Sequence, residues 1–412
     1  MVHNAGKIDL STEFCGLRMP NPFLLASAPP TATGAMIKKA LRSGWGGAVV
    51  KTMKPDDLEI IDVTPRFATL KSSHGENIGF ENMELVTKRP VGTWLKEIRE
   101  IKDEFPDRVL IVSIMAEMRK ASWQTLAAAA EKAGADGIEL NLSCPHGMPE
   151  KGIGAAVGQK PELTKMVTAW VKEAVNVPVI VKLTPNVTDI EPVAEAAMAG
   201  GAAGLAAINT VESMMGVDLD TFVPLPAVDG RSSYGGYSGM AVKPIGLRVV
   251  SQLAKWGQLP ISGIGGITSW EHAVEYMLLG AANVQICTAV MLKGYGIINN
   301  LVKGLESYLQ KKGFSSLQEI IGLSLPNIVS HSALDRSKPV MAQANQEWCT
   351  GCNLCVTVCE DAGYAAITAG ANKSIAIDPE KCDGCSLCTH VCRRKAISMV
   401  FNPARTGVRV YS

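Results

Sequence analysis

Cys349-Thr350-Gly351-Cys352-Asn353-Leu354-Cys355-Val356-Thr357-Val358-Cys359 is repeated in spacing by Cys382-Asp383-Gly384-Cys385-Ser386-Leu387-Cys388-Thr389-His390-Val391-Cys392. Eight of the eleven cysteines stand in these two C-x2-C-x2-C-x3-C runs. The run is one that holds paired 4Fe–4S clusters, the fourth cysteine of each run ligating the other cluster. It assigns Cys349, Cys352, Cys355 and Cys392 to one cluster, and Cys382, Cys385, Cys388 and Cys359 to the second. Thiolates are soft ligands that suit iron–sulfur chemistry. Zinc ribbons use paired C-x2-C units instead, and a disulfide framework belongs to secreted chains. The expectation is single-electron transfer.

Outward from these runs, residues 346–400 form a small ferredoxin-like α+β domain, followed by a tail over residues 401–412 and preceded by a linker over residues 321–345. The chain has 412 residues, so residues 1–320 are left for one barrel-sized domain with a large core. A net charge of +1 gives no reason to expect nucleic acid or an anionic membrane as partner. Met1 to Thr12 is polar and lacks an apolar signal core, and no stretch reaches the apolar length of a membrane span. Free-cysteine chemistry without a signal predicts a cytoplasmic protein.

Between residues 22 and 312, β-rich runs alternate with helical patterns. The strands are expected at Pro22–Ala28, Gly47–Thr52, Val109–Ala116, Gly137–Cys144, Pro178–Pro185, Gly204–Thr210, Pro260–Ile267 and Asn283–Ala289. Helical spacing appears at Met36–Ser43, Ser122–Gly134, Pro161–Asn176, Thr188–Ala199, Pro244–Gly257, Trp270–Gly280 and Ile297–Lys312. Alternation of this kind implies a parallel sheet. Eight units in this length predict a closed (β/α)8 TIM barrel. A doubly wound sheet would want G-x-G-x-x-G after its first strand, and none is present.

Chemistry in such a barrel sits at the C-terminal strand ends. Those ends carry Lys51-Thr52, Asn141 to Gly147, Lys182, Asn209-Thr210, Gly265-Gly266 and Cys287-Thr288. The last two strand ends are where this fold binds phosphate, through loop N–H groups and a helix N-terminus. Gly265 and Gly266 let the backbone approach, and Thr288 adds a hydroxyl. A Gly-Gly pair is by itself a tight turn. Joined to a cluster-bearing domain, it predicts a phosphate-bearing flavin, which takes single electrons and delivers a hydride.

These residues resemble the FMN barrel of the dihydroorotate/dihydropyrimidine dehydrogenase superfamily. The likeness is carried by Asn21 to Pro30, Gly44-Trp45-Gly46, Val50-Lys51-Thr52, Asn82-Met83-Glu84, Asn141 to Met148, Lys182 to Ile190, Asn209-Thr210-Val211 and Tyr234 to Gly239. Within it the dihydropyrimidine dehydrogenases are the closer likeness, since they also follow the barrel with a two-cluster module. The resemblance covers nearly the whole chain apart from the termini and Leu323–Gln343. It implies that Lys51 and Lys182 contact the flavin, and that Asn82, Asn141, Asn209 and Thr210 grip a pyrimidine edge. It implies Cys144 as proton donor. Ala28, Thr52, Asn209, Ser238, Gly239, Gly265, Gly266, Cys287 and Thr288 complete the cofactor site. The FAD and NADPH domains that precede the barrel in long animal-type enzymes are not in this sequence. The resemblance therefore implies a hetero-oligomer with an FAD/NAD(P)H-binding flavoprotein subunit. Where the family run has proline after the fourth cysteine, this chain has Glu360 and Arg393.

The implied substrates, uracil and thymine, have a C5=C6 bond conjugated to the C4 carbonyl. Hydride goes to C6 and a proton to C5. Asparagine amides both donate and accept, matching an edge of alternating carbonyl and N–H groups. A cysteine of ordinary pKa is mostly a thiol at neutral pH and can donate. Cys144 lies just before Gly147, Gly152, Gly154 and Gly158, a spacing suited to a lid. A free cysteine is more commonly a small buried hydrophobe, the reading given to Cys15 and Cys287. The nearest enzymatic alternative is a dihydroorotate dehydrogenase; a catalytically silent electron carrier is a third.

Overall fold

The computed structural model describes residues 8–142 and 154–405. The chain divides into two compact units, one up to Asn327 and one from Ile328. In the first, eight parallel strands close a barrel: Phe23–Leu25 (β1), Gly47–Met53 (β2), Val109–Ile114 (β3), Gly137–Asn141 (β4), Val179–Leu183 (β5), Gly204–Ala207 (β6), Ile261–Ile264 (β7) and Ala281–Ile286 (β8). Each pairs with its neighbours in sequence, and β8 returns to β1 through Val284↔Phe23, Gln285↔Leu24 and Ile286↔Leu25. These are the eight strands expected from the sequence, each within the expected range or within two residues of it. Helices follow the strands and bury one face. Gly34–Arg42 begins on Thr33, whose hydroxyl accepts from Met36 N at 3.2 Å. The helix Val91–Glu104, buried through Trp94, Ile98 and Ile101, was not among the sequence expectations.

Period two in the strands sorts their side chains into two populations. Ala48, Val50, Leu110, Val112, Ile138, Leu140, Val179 and Val181 pack outward in the large core shared with the helices. Leu24, Val49, Val109, Ile111, Ile180, Ala206 and Ile264 fill the interior, with Phe14 and Met19 beneath them. Phe14 and Met19 come from a hairpin, Thr12–Phe14 with Leu17–Met19, whose turn residues Cys15 and Gly16 have φ of 55° and 78°. Further along the same strands the inward positions become polar: Lys51, Ser113, Glu139, Asn141, Lys182 and Gln285. Apolar packing therefore closes the N-terminal end, and chemistry occupies the other.

Two long excursions build a second sheet. Phe67–Lys71 and Asn77–Asn82 follow β2, and Val211–Ser213 and Gly235–Ser238 follow β6. They pair antiparallel, with Gly236 opposite Asn82 and Tyr237 opposite Glu81.

In the second unit, Val340–Ala344 pairs with Ile397–Phe401 and Ile367–Ala369 with Ile375–Ile377. Helices Leu354–Asp361 and Leu387–Val391 complete it. The last residues of the expected linker, Val340–Ala344, are thus a strand of this unit. The two cysteine runs share local geometry. Asn353 and Ser386 adopt φ of 60° and 66° directly before the two helices. Gly351 and Gly384 have φ of 67° and 76°, and a Cβ would lie 2.7 Å from Lys373 Cα at the first and 2.5 Å from the Val340 carbonyl at the second. Among the described residues no helix is long and apolar enough to cross a membrane.

Candidate active site and cluster centres

A cleft opens at the C-terminal ends of the barrel strands. Ala28, Lys51, Thr52, Asn82, Asn141, Lys182, Asn209, Thr210, Ser238, Gly239, Gly265, Gly266, Cys287 and Thr288 all line it. The structure brings together every non-cluster site residue singled out from sequence except Cys144, which lies outside the described residues with Gly147 and Gly152. Gly158 N donates to Leu142 O at 2.9 Å, and a Cβ on Gly158 would lie 2.3 Å from that oxygen.

One end of the cleft is built from bare backbone and hydroxyls. Gly265 and Gly266 have φ of 129° and 69°. A Cβ on Gly266 would lie 2.8 Å from Lys243 N and 2.9 Å from Gly239 O. The buried Tyr276 hydroxyl donates to Gly265 O at 2.7 Å and fixes the turn. Ser238 Oγ and Thr288 Oγ1 are 2.9 Å apart across the same end, Thr288 opening the helix Thr288–Lys293. Backbone N–H groups, two hydroxyls and no room for side chains suit a phosphate.

The cleft also holds charges. Lys51 and Lys182 are only 8% and 6% exposed. Lys51 Nζ donates to Glu84 Oε2 at 2.9 Å, and Arg66 Nε lies 3.6 Å from the other oxygen of Glu84. Lys182 Nζ lies 3.8 Å from Glu139 Oε1. Burial pushes the Cys287 thiol up to about 11, against the downward pull of Lys182 and Lys51. It stays a neutral thiol at physiological pH, in keeping with the packing role expected of it.

Thr52 organises the polar floor. Its hydroxyl lies 3.1 Å from Ser27 Oγ and 3.0 Å from Ser113 Oγ, and accepts from Asn141 Nδ2 at 3.0 Å. Asn209 Nδ2 donates to Asn141 Oδ1 at 3.4 Å, and Asn209 Oδ1 accepts from Thr210 N at 2.9 Å. Asn82 Nδ2 donates to Gly236 O at 3.1 Å, which places it on the upper sheet facing the cleft. Sequence reading missed Glu84 and Gln285, which line the cleft, and Glu139 beneath it. The signal for Glu139 was a carboxylate two residues before Asn141 in an otherwise apolar strand, and so on the same face.

In the second unit the eight thiols divide between two cavities. One is lined by Cys349, Cys352, Cys355 and Cys392, the other by Cys359, Cys382, Cys385 and Cys388. Backbone N–H groups point at three sulfurs: Ala342 N to Cys382 at 3.4 Å, Ala366 N to Cys359 at 3.4 Å and Ala396 N to Cys392 at 3.2 Å. Such bonds favour the thiolate and tune a bound cluster. Among the described residues no three Cys, His, Asp or Glu side chains converge on a point that one metal ion would occupy.

Residues 9–309 match the family model for dihydroorotate dehydrogenase, and residues 342–399 that for a 4Fe-4S dicluster domain. The chain is 45% identical over 362 residues to the NAD-dependent dihydropyrimidine dehydrogenase subunit PreA of Escherichia coli K12, covering 87% of each. It is 42% identical over 351 residues to the chloroplastic dihydropyrimidine dehydrogenase (NADP(+)) of Arabidopsis thaliana, covering 82% of each. Against the catalytic subunit of dihydroorotate dehydrogenase B (NAD(+)) of Pyrococcus abyssi, identity is 39% over 324 residues, or 77% of this chain and 99% of that one.

Proposed function

The chain belongs to the dihydroorotate dehydrogenase family, and on that premise we propose that it is the pyrimidine-reducing subunit of a dihydropyrimidine dehydrogenase. The carrying observation is the joint match of barrel and dicluster domain to the bacterial subunit, 87% of each chain. The dihydroorotate enzyme's subunit is used up on 77% of this chain, leaving nothing to match the remainder. The cofactors are FMN in the cleft and two 4Fe–4S clusters. A partner subunit carrying FAD and the nicotinamide site supplies the electrons. The location we propose is the cytoplasm, where thiols stay reduced.

FMN, when bound, accepts electrons singly from the clusters and supplies a hydride. Gly265, Gly266, Gly239, Ser238 and Thr288 would hold its phosphate. Ala28, Thr52 and Cys287 would line its path, while Lys51 and Lys182 would face its ring and ribityl chain. The Thr52-centred network of Asn141 and Asn209, with Thr210 and Asn82, binds and orients the pyrimidine edge. Cys144 donates its thiol proton to C5 as hydride reaches C6, so two electrons and two hydrogens saturate the double bond. Cysteines 349, 352, 355 and 392 hold one cluster, and 382, 385, 388 and 359 the other.

Anaerobic mixing of the photoreduced protein with uracil or thymine, and of the oxidised protein with dihydroorotate, tests the substrate. Uracil or thymine should restore the oxidised flavin spectrum, and dihydroorotate should not bleach it. Rapid bleaching by dihydroorotate with no response to uracil would move the assignment to dihydroorotate oxidation.

A further inference from the structure

Directly beneath the cleft, the barrel interior holds a carboxylate that pyrimidine reduction does not itself require. Glu139 is 0% exposed. Its strand neighbours Ile138 and Leu140 face the helices, so Glu139 shares the inward face of β4 with Asn141. Gln285 Nε2 donates to Glu139 Oε2 at 3.3 Å and reaches Ser262 Oγ at 3.2 Å. Ser262 in turn donates to Asn283 Oδ1. Glu139 Oε1 has no hydrogen-bond partner among the described residues. What faces it is Lys182 Nζ at 3.8 Å. A buried carboxylate without a countercharge is heavily penalised, and Lys182 is the cation placed against Glu139. Lys51 has its own carboxylate, Glu84 at 2.9 Å. Both cleft lysines therefore have a carboxylate beside them.

We propose that Glu139 is a positioning residue for Lys182: from inside the barrel it fixes the ammonium and offsets its field, and so lowers the reduction potential of the bound flavin. This rests on the reading that FMN occupies the cleft with Lys182 against it. A cation beside the flavin stabilises its anionic reduced form. A buried anion behind that cation, in a medium that screens poorly, weakens the effect. A merely structural Glu139 would act through its hydrogen bond to Gln285, which glutamine can replace without moving the potential.

The test is a spectroelectrochemical and sulfite titration of the purified, FMN-loaded protein and its Glu139→Gln, Glu139→Asp and Lys182→Met variants. Sulfite adds to the oxidised flavin and reports the same local charge. Glu139→Gln should retain stoichiometric FMN and bind sulfite roughly tenfold more tightly, equivalent to a two-electron potential about 30 mV higher. Glu139→Asp keeps the charge and should stay within about twofold of the parent. Lys182→Met leaves the acid uncompensated and should move both readouts the opposite way. An unshifted potential in Glu139→Gln, or equal shifts in the Gln and Asp variants, overturns the proposal. If Glu139→Gln does not fold, Glu139→Met, which also removes the charge, takes its place, and an unshifted potential there overturns the proposal. A parent protein that holds no FMN would instead refute the cofactor reading.

Discussion

Replacing Gly266 by alanine tests the phosphate end of the cleft. The backbone there has φ of +69°, which disfavours an L-residue by about 1–2 kcal/mol. The new Cβ would lie 2.8 Å from Lys243 N and 2.9 Å from Gly239 O. Neither neighbour is a flexible side-chain tip, so overpacking adds about 1–3 kcal/mol. The strain, about 2–5 kcal/mol in all, is relieved by moving the turn away from the phosphate. If all of it appears as lost affinity, the FMN Kd rises between about 30-fold and a few thousand-fold. Fluorescence titration of apoprotein with FMN and with riboflavin separates the contributions. Riboflavin lacks the phosphate, so its affinity should change by less than about threefold. An FMN Kd within threefold of the parent, in a variant that keeps its far-UV spectrum, would refute the phosphate assignment. Equal losses for FMN and riboflavin would show that the turn supports the ring instead.

The crossed ligand sets predict that Cys359→Ala damages the cluster of the second run and Cys392→Ala that of the first; iron content and EPR of the two variants check this, and damage within each residue's own run would refute it. Cys144→Ala should keep FMN and both clusters but lose ~10²-fold or more in uracil reduction, the usual cost of a positioned acid; unchanged turnover would remove Cys144 from the mechanism. Glu81 is fully buried, and burial holds its carboxyl above the usual carboxylate range. The folded chain therefore retains a proton that the unfolded chain releases first, so this group's contribution is present in acid and is lost as pH rises through the raised value. Glu81→Gln should melt a few degrees higher than the parent near pH 8 and show little difference near pH 4; scanning calorimetry at both pH values reads the sign, and a lower melting point at pH 8 would contradict it.

The barrel was legible because its strands obey a local rule. Val49 and Lys51, Ile111 and Ser113, and Ile180 and Lys182 each pair an apolar inward residue with a polar one two positions later. A polar residue at a strand end marks the mouth before any contact is known. The cysteine runs were legible for the same reason, since their spacing is itself the ligand geometry. The upper sheet was not legible. Gly235–Ser238 finds its partner Asn77–Asn82 more than a hundred residues away, and the glycine, asparagine and serine interleaved with Ile78, Phe80 and Tyr237 break up their β signal. The helix Val91–Glu104 was hidden behind that excursion. Glu139 and Glu84 were missed because a carboxylate's role depends on which cation faces it, and sequence distance carries no trace of that pairing.

The closed order of the barrel also constrains the path by which the chain folds. β1 has β2 beside it early, but its other edge is covered only by β8, some 260 residues later. The same late segment satisfies Thr12, whose hydroxyl donates to Ala282 O at 2.7 Å, and Trp45, whose indole N–H donates to Tyr295 O at 3.0 Å. During synthesis, at about 5–20 residues per second, the edge of β1 waits on the order of ten seconds or more for its partner. Contacts of this span slow folding and leave strand edges open to wrong pairings. Chaperone demand should therefore fall on the nascent chain before residue 290 has emerged. The thiols of the second unit appear only after the barrel is able to close, so cluster loading is a late step in maturation.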